Sequence, residues 1–369
     1  MASVKKYIYQ NSDWPNFRYS AADLGPRIEE LQFLQGKVLG ILQSLGIDGI
    51  QSRVADSIVE TILTTSEIEG EILEDELVRS SVASRLKLPS AGVEIKQTKV
   101  DGVVEMHLDA IQNCDRRLTK TRILNWYQQL FPPLLNGNRA VTVGRWRVSR
   151  NDPMQVVSGP IGSEIVHFEA PAADQIDYEI KQFINWFNAN TSSERIIKAA
   201  LAHLWFVTIH PLEDGNGRVA RALTDMQLAR GVDHGAYWSL SSQILLERPD
   251  YYAQLKQAQT GGLDVTEWLT WFCGCYLRSL RTAEDAVNRS LKKQQIWQSF
   301  NEINLNPRQI KMVNLLINGF NGKLTTSKWA MICKCSQDTA TRDISELINF
   351  NVLKKSDSAG RSTHYLLEK

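Results

Sequence analysis

The stretch whose reading decides the fold is His210-Pro211-Leu212-Glu213-Asp214-Gly215-Asn216-Gly217-Arg218-Val219-Ala220-Arg221. It reads as the end of one buried helix, a polar loop and the start of a second helix. The first helix is predicted to open at Thr191, which makes a capping-box pair with Glu194. Ile196, Ile197, Ala199, Ala200, Leu201, Leu204, Trp205 and Val207 leave it almost no polar face, as in a helix buried on all sides. Pro211 cannot continue it. The second helix is predicted to open near Arg218, to carry Val219, Ala222, Leu223, Met226 and Leu228 inward, and to stop at Gly231.

That arrangement has chemical consequences. Free amides at a helix N-terminus, reached through glycines that leave the backbone bare, bind anions, phosphate above all. Arg218 and Arg221 share one helix face at that end and could grip successive phosphates. Asp214 can hold a Mg²⁺, which needs only one or two carboxylates besides phosphate oxygens. His210, across the loop, is placed to take a proton from a hydroxyl. Asp-Gly-Asn-Gly alone is an ordinary turn, and a histidine at a helix end is often structural. The ordered combination of base, metal ligand, anion cradle and two arginines describes a phosphate-transfer site.

The stretch resembles the Fic family signature, HxFx(D/E)GNGRxxR, at every fixed position but one, where Leu212 stands in place of Phe. The resemblance implies a protein adenylyltransferase that moves AMP from ATP to a Ser, Thr or Tyr hydroxyl of a target protein. It makes His210 the general base and Asp214 the Mg²⁺ ligand. Gly215, Asn216 and Gly217 become the anion hole, with Arg218 on the phosphates and Arg221 on the γ-phosphate. Related Doc-type kinases carry a lysine where this chain has Gly217, so Gly217-Arg218 favours AMP transfer over phosphorylation. Thr65-Ser66-Glu67-Ile68-Glu69-Gly70 matches the family's inhibitory motif, (S/T)xxxE(G/N), with Glu69 as the inhibitory acid. On that resemblance Glu69 pairs with Arg221 in the place of the γ-phosphate, and ATP is bound only with its phosphates misplaced for in-line attack. The same carboxylate could orient a water and remove AMP, making the enzyme bifunctional. Further downstream, Pro249-Asp250-Tyr251-Tyr252 resembles the family's tyrosine pair near the adenine and ribose. Tyr252 is the expected nucleotide contact, and Gln259 stands where relatives line the pocket with a polar side chain.

The 369 residues suggest two or three domains, and a net charge of +1 gives no global pull toward nucleic acid or membrane. Five cysteines are an odd count that argues for reduced thiols and a cytoplasmic location. The two Cys-x-Cys pairs lack zinc spacing and read as core thiols. Neither a signal core nor a membrane span is evident.

Along the chain, an aromatic, proline-broken arm (7–20) precedes a helix from Ala21 to Leu45 that ends at Gly46, and a second from Arg53 toward Gly70. This opening resembles a helical domain of unnamed function that often precedes Fic domains. Residues 86–103 read as a linker, then Val104–Asn113, Ile123–Leu135 and Asp177–Asn188 as helices. Two β-rich runs flank Gly159-Pro160-Ile161-Gly162, a hairpin. By resemblance this is the flap (about 154–168), which registers an extended target segment by β-augmentation.

Residues 306–369 read as three helices and a β-hairpin around Ser358-Ala359-Gly360-Arg361, which looks like a winged helix-turn-helix. Seven lysines and three arginines against three aspartates and two glutamates give that segment a net +5. DNA is one reading, with Thr339, Thr341 and Arg342 toward a groove and Lys354, Lys355 and Arg361 on phosphates. Asp338, Asp343 and Glu346 on the same helix weigh against it, and a protein-docking or dimerisation unit is the other.

The expected architecture is mainly α, a Fic-type helical core with a β-hairpin flap and a C-terminal winged helix-turn-helix. Its parts are an N-terminal helical domain with the inhibitory helix (1–90), a catalytic domain (104–298) and the C-terminal unit (300–369). ATP and Mg²⁺ are the expected cofactors. A target protein along the flap is the expected partner, a homodimer is compatible, and no membrane is involved. The alternative function is a nucleotide-sensing, DNA-binding transcription regulator, and transfer of another nucleotide stays open because the loop reads phosphates more than the base.

Overall fold

A computed structural model describes residues 7–88, 99–132, 143–148, 153–158, 165–189, 194–232, 237–300, 303–317, 319–356 and 364–368. The chain is mainly α-helical and divides into two compact units, Met1–Val287 and Asn288–Lys369. The N-terminal helices and the segment carrying the His210 loop therefore fold as one body.

The centre of the larger unit is a pair of helices, α7 (Arg195–Ile209) and α8 (Asn216–Ala229), packed against each other and buried on nearly every side. Around them lie α4 (Lys99–Gln112), α5 (Lys120–Leu130) and α6 (Ile176–Asn188). The capping box expected at Thr191 falls outside the described residues. Glu194 is the N-cap of α7, and its side chain makes no capping bond. Helix α8 opens two residues earlier than its apolar spacing indicated, because Gly215 takes a left-handed conformation (φ 80°) and turns the chain at once. Asn216 and Gly217 thus belong to the first turn.

Helix α1 (Ala21–Gln43) is followed almost directly by α2 (Gly46–Ile68). Gly46 was expected to end one helix, with the next from Arg53. Its positive φ (69°) instead reverses the chain between two helices joined by Ser44 and Leu45 alone. Helix α2 runs beside α3 (Asp75–Arg85), α4, α8 and α9 (Leu240–Leu246), which carries its C-terminal end to the His210 loop. Helix α4 begins at Lys99, inside the expected linker, of which 89–98 lie outside the described residues. Helix α5 ends at Leu130, and residues 133–142 are also outside. Helices α10 (Arg248–Thr260) and α11 (Thr266–Gln298) complete the set.

The hairpin is present as β1 (Gln155–Ser158) paired antiparallel with β2 (Ile165–Glu169), with a bulge between Val156 and Val157. Its expected turn, 159–162, lies outside the described residues. Phe168 faces inward against Tyr7 (5.2 Å, edge-on) and Ala170, so the N-terminal arm packs on the inner face of the hairpin.

Close packing of α4 against α5 rests on Gly102. A Cβ there would run into the backbone carbonyl of Gln129, so α4 and α5 approach at backbone distance. Gly102→Ala should lower stability by about 1–3 kcal/mol through forced separation of the two helices. Gly36→Ala, where a methyl meets open space in mid-helix, should raise it by up to about 1 kcal/mol. Thermal melts of both variants check this, and equal melting points would contradict it.

Candidate active site

The site is built where α7 stops. Its C-cap, His210, has φ 50° and ψ 57°, a strained conformation for a residue with a Cβ. Pro211 follows and cannot extend the helix. The strain is held from outside the loop. Arg147 donates from Nε to the His210 carbonyl (2.8 Å) and from Nη2 to the Pro171 carbonyl (2.5 Å), and its backbone N–H donates to the Pro211 carbonyl (2.9 Å). A second brace is internal. The Asn216 side chain accepts from Leu212 N–H (3.0 Å) and donates to its carbonyl (2.9 Å). Asn216, expected in the anion hole, thus spends its side chain on the loop and has only its backbone amide for a ligand. Leu212 is fully buried, filling the apolar anchor position.

The His210 ring is half-buried, and its Nδ1 lies 3.3 Å from the Val207 carbonyl. A carbonyl only accepts, so that nitrogen carries the proton and Nε2 presents a lone pair. Desolvation lowers the His210 pKa to about 4, which keeps the ring neutral, as a base must be. Asp214 folds back to accept from Gly215 N–H (2.6 Å). Among the described residues no group of three or more His, Cys, Asp or Glu side chains could hold a metal ion.

Arg221 is 2% exposed. Its Nε donates to Thr65 Oγ1 (2.7 Å), and its Nη2 donates to the Thr65 carbonyl (2.9 Å) and to Glu69 Oε1 (2.7 Å). Thr65 and Glu69, the ends of the short motif near 65–70, are thereby brought onto one guanidinium. Partial burial pushes the Glu69 carboxyl up. The charge and hydrogen bond of Arg221, with Arg218 and Arg248 nearby, outweigh that, so it titrates below the ordinary carboxylate range. Gly217 lies directly beneath: a Cβ on it would collide with Glu69 Oε1. The bare backbone of the loop and the Glu69 carboxylate therefore meet at one point.

Two participants escaped sequence reasoning. One is Arg147. The other is Glu71, whose carboxylate accepts from Arg218 at 2.9 Å. The cause is the way α2 ends. Gly70 (φ 81°) sits just past the C-cap, Gly70 N–H bonds the Glu67 carbonyl and Glu71 N–H bonds the Ser66 carbonyl. This is a Schellman turn, and it aims Glu69 and Glu71 at neighbouring arginines of α8. The sequence did show a Glu-Gly-Glu run after an apolar helix, the only available signal. Arg218 also lies over the Phe131 ring (5.0 Å).

Tyr251 is buried, and its hydroxyl lies 2.9 Å from His203 Nε2. Tyr252 is 43% exposed, with its hydroxyl 3.5 Å from the Ile68 carbonyl, beside the C-terminal end of α2. Gln259 is buried against α7, its Nε2 3.4 Å from Thr208 Oγ1.

Behind Arg221 lies a buried layer. His203 donates from Nδ1 to Thr224 Oγ1 (3.0 Å), whose own hydroxyl donates to the Ala220 carbonyl. His107 Nδ1 is 3.7 Å from Asp225 Oδ2. Desolvation drives both histidines down to about 3 and Asp225 up to about 7.

With fold and loop established, the comparisons define the class. The fold is similar to that of a Fic family protein from Desulfovibrio desulfuricans (TM-score 0.56, 17% identity, 93% of this chain and 96% of that one). It is also similar to a Fic domain containing signaling protein from Bacteroides thetaiotaomicron (TM-score 0.50, 19% identity, 69% of this chain and 97% of that one). Residues 117–228 match the model of the Fic/DOC family, and residues 7–88 that of a domain of unknown function (DUF4172). The chain therefore carries a Fic/DOC family domain. A probable protein adenylyltransferase of Aquifex aeolicus is 30% identical over 103 residues, 28% of this chain and 30% of that protein. The protein adenylyltransferase Fic of Nematostella vectensis is 31% identical over 112 residues, 30% of this chain and 25% of that protein. The match thus spans less than a third of either relative.

The three histidines make stability depend on pH. Unfolded histidines take up protons below about pH 6.5, whereas His107, His203 and His210 do so only at about 3 to 4 when folded. The unfolded state then holds more protons, and stability falls as pH drops through that window. Asp225 works the other way, its contribution present in acid and lost as pH rises through about 7, but it is one group against three. Melting temperature should decline from pH 7 to pH 5, and His203→Gln should flatten the decline. An unchanged slope in that variant would contradict the assignment.

Proposed function

We propose that the chain is a protein adenylyltransferase held off by Glu69. The observation that carries this reading is the 2.7 Å ion pair between Glu69 and Arg221, made directly over the bare backbone of Gly217. The relatives named as adenylyltransferases support the chemistry. A target hydroxyl oxygen attacks the α-phosphorus of ATP, the bond to the β-phosphate oxygen breaks, pyrophosphate leaves, and the hydroxyl proton passes to His210 Nε2. Amides at the start of α8 and the two arginines hold the phosphates. Asp214 would hold a Mg²⁺, and that ion would offset the charge of the leaving group.

In the latched state both guanidiniums that would grip the triphosphate already hold carboxylates, Arg221 with Glu69 and Arg218 with Glu71. The Glu69 carboxyl titrates low, so the latch stays closed across neutral pH. Target docking is supported by the outer face of the hairpin, where the paired Val157 and Val166 are exposed. An extended segment could pair with a free edge there. Glu69 is a third exposed, and from its place over the loop it could also aim a water at an AMP ester, the reverse activity.

Incubation with labelled ATP, Mg²⁺ and cell lysate tests this. Glu69→Gly should raise labelling at least tenfold over the parent, Glu71→Ala by less, and His210→Ala in the Glu69→Gly background should abolish it. Pre-labelled protein should lose AMP to the parent and not to Glu69→Gly. Equal labelling by parent and Glu69→Gly would overturn the latch, and labelling that survives His210→Ala would remove the base.

A further inference from the structure

The smaller unit has its own core of Met312, Val313, Leu324, Trp329, Ile344 and Leu347. Helix α12 (Pro307–Ile317) leads to Leu324, which bridges Tyr365, and then to α13 (Thr326–Cys333) and α14 (Gln337–Asn349). Strands β3 (Leu353–Lys355) and β4 (Tyr365–Leu367) close it as an antiparallel pair. Only Lys334, Cys335 and Ser336 separate α13 from α14. Lys334 is left-handed (φ 50°), and Ser336 caps α14 by accepting from Thr339 N–H (3.1 Å). Two helices on so short a turn, the second followed by a hairpin, form the arrangement that sets a helix into a DNA groove.

The sequence left DNA and protein as equal partners, because α14 carries three acids. The structure separates those acids. Asp343 is buried and turned to α12, where it accepts from Arg308 Nε (2.7 Å) and Nη2 (2.9 Å) and from Asn306 Nδ2 (2.9 Å). Glu346 accepts from Gln309 Nε2 (2.9 Å), also on α12. Ala340, Ile344 and Leu347 fix the buried side of α14. On the opposite side Thr341, Arg342, Ser345 and Asn349 are exposed together with Asp338, and Glu346, tied to Gln309, is exposed at the edge of that face.

We propose that this unit binds double-stranded DNA with the outward face of α14 in the major groove. Thr, Ser, Asn and Arg are side chains that read base edges. A protein-docking face would instead be apolar at its centre. The exposed large apolar side chains among the unit's described residues, Ile310, Met331, Phe350 and Leu366, belong to α12, α13, the end of α14 and β4 and not to the outward face of α14. Charge agrees: Lys334 at the turn, Arg342 on the helix and Lys354 and Lys355 on β3 are cations suited to phosphates, in a segment of net +5. Lys354 is engaged only weakly, 3.9 Å from Glu368.

Fluorescence anisotropy of the full chain with a labelled 30-base-pair duplex of random sequence, at 50 and 200 mM NaCl, tests the proposal. Four phosphate contacts give a log–log salt slope of about −3.6, roughly a hundredfold loss between those salts. Arg342→Glu with Lys334→Glu should weaken binding at least tenfold, Asp338→Asn should tighten it, and excess ATP should leave it unchanged. Circular dichroism melts establish that the variants are folded, and Lys354→Glu with Lys355→Glu serves if the first pair is not. The proposal is overturned by no anisotropy change at 50 mM NaCl, by full competition from ATP, or by charge reversals that spare DNA binding but change the chain's mass in light scattering.

Discussion

The structure depends on one buried guanidinium. Arg221 sits on a helix that is buried almost throughout, so its charge has little water to turn to. Such a charge must be compensated, or the cost runs to several kcal/mol. Helix α2 supplies the compensation through the hydroxyl and carbonyl of Thr65 and the carboxylate of Glu69. A triphosphate would satisfy the same guanidinium with more charge. On the proposed reading, the need that would draw a phosphate to the site is also the need that lets a carboxylate close it.

That contact also explains why the N-terminal helices and the segment carrying the His210 loop are one body. Helix α2 lies along α8 and α9 and ends in a Schellman turn, and Gly70 alone permits the backbone that turn requires. The turn fixes the directions of Glu69 and Glu71 together. Across the gap, the His210 loop is set by Arg147 and by the Asn216 side chain, both acting on backbone groups. The His210 loop is therefore positioned by polar bonds to main chain, which tolerate little displacement, while α7 and α8 pack through buried apolar side chains.

Much of this was legible in the sequence because chemistry with fixed spacing leaves a local record. His210, Asp214, Gly217, Arg218 and Arg221 lie within one turn-and-helix, and their order carries their geometry. The short motif ending at Glu69 was legible only because the loop gave it a partner. Glu71 was not, since its direction depends on the left-handed Gly70 rather than on any periodicity. Arg147 was not, since its bonds go to carbonyls far along the chain, and no local pattern encodes them. Gly46 misled for a related reason: a glycine after an apolar run marks a reversal equally well whether a loop or another helix follows. On α14, the count of acids was visible and their directions were not, because only the packing on α12 turns Asp343 inward.

Calorimetric titration with a non-hydrolysable ATP analogue and with AMP, each against the parent chain and Glu69→Gly, addresses the competition for Arg221 directly. The analogue should bind Glu69→Gly at least tenfold more tightly than the parent, since one unit of pKa-scale energy, about 1.4 kcal/mol, already corresponds to tenfold. AMP, lacking the distal phosphates, should bind both alike. Equal affinity of the analogue for the two proteins would show that Glu69 does not stand in the γ-phosphate's place.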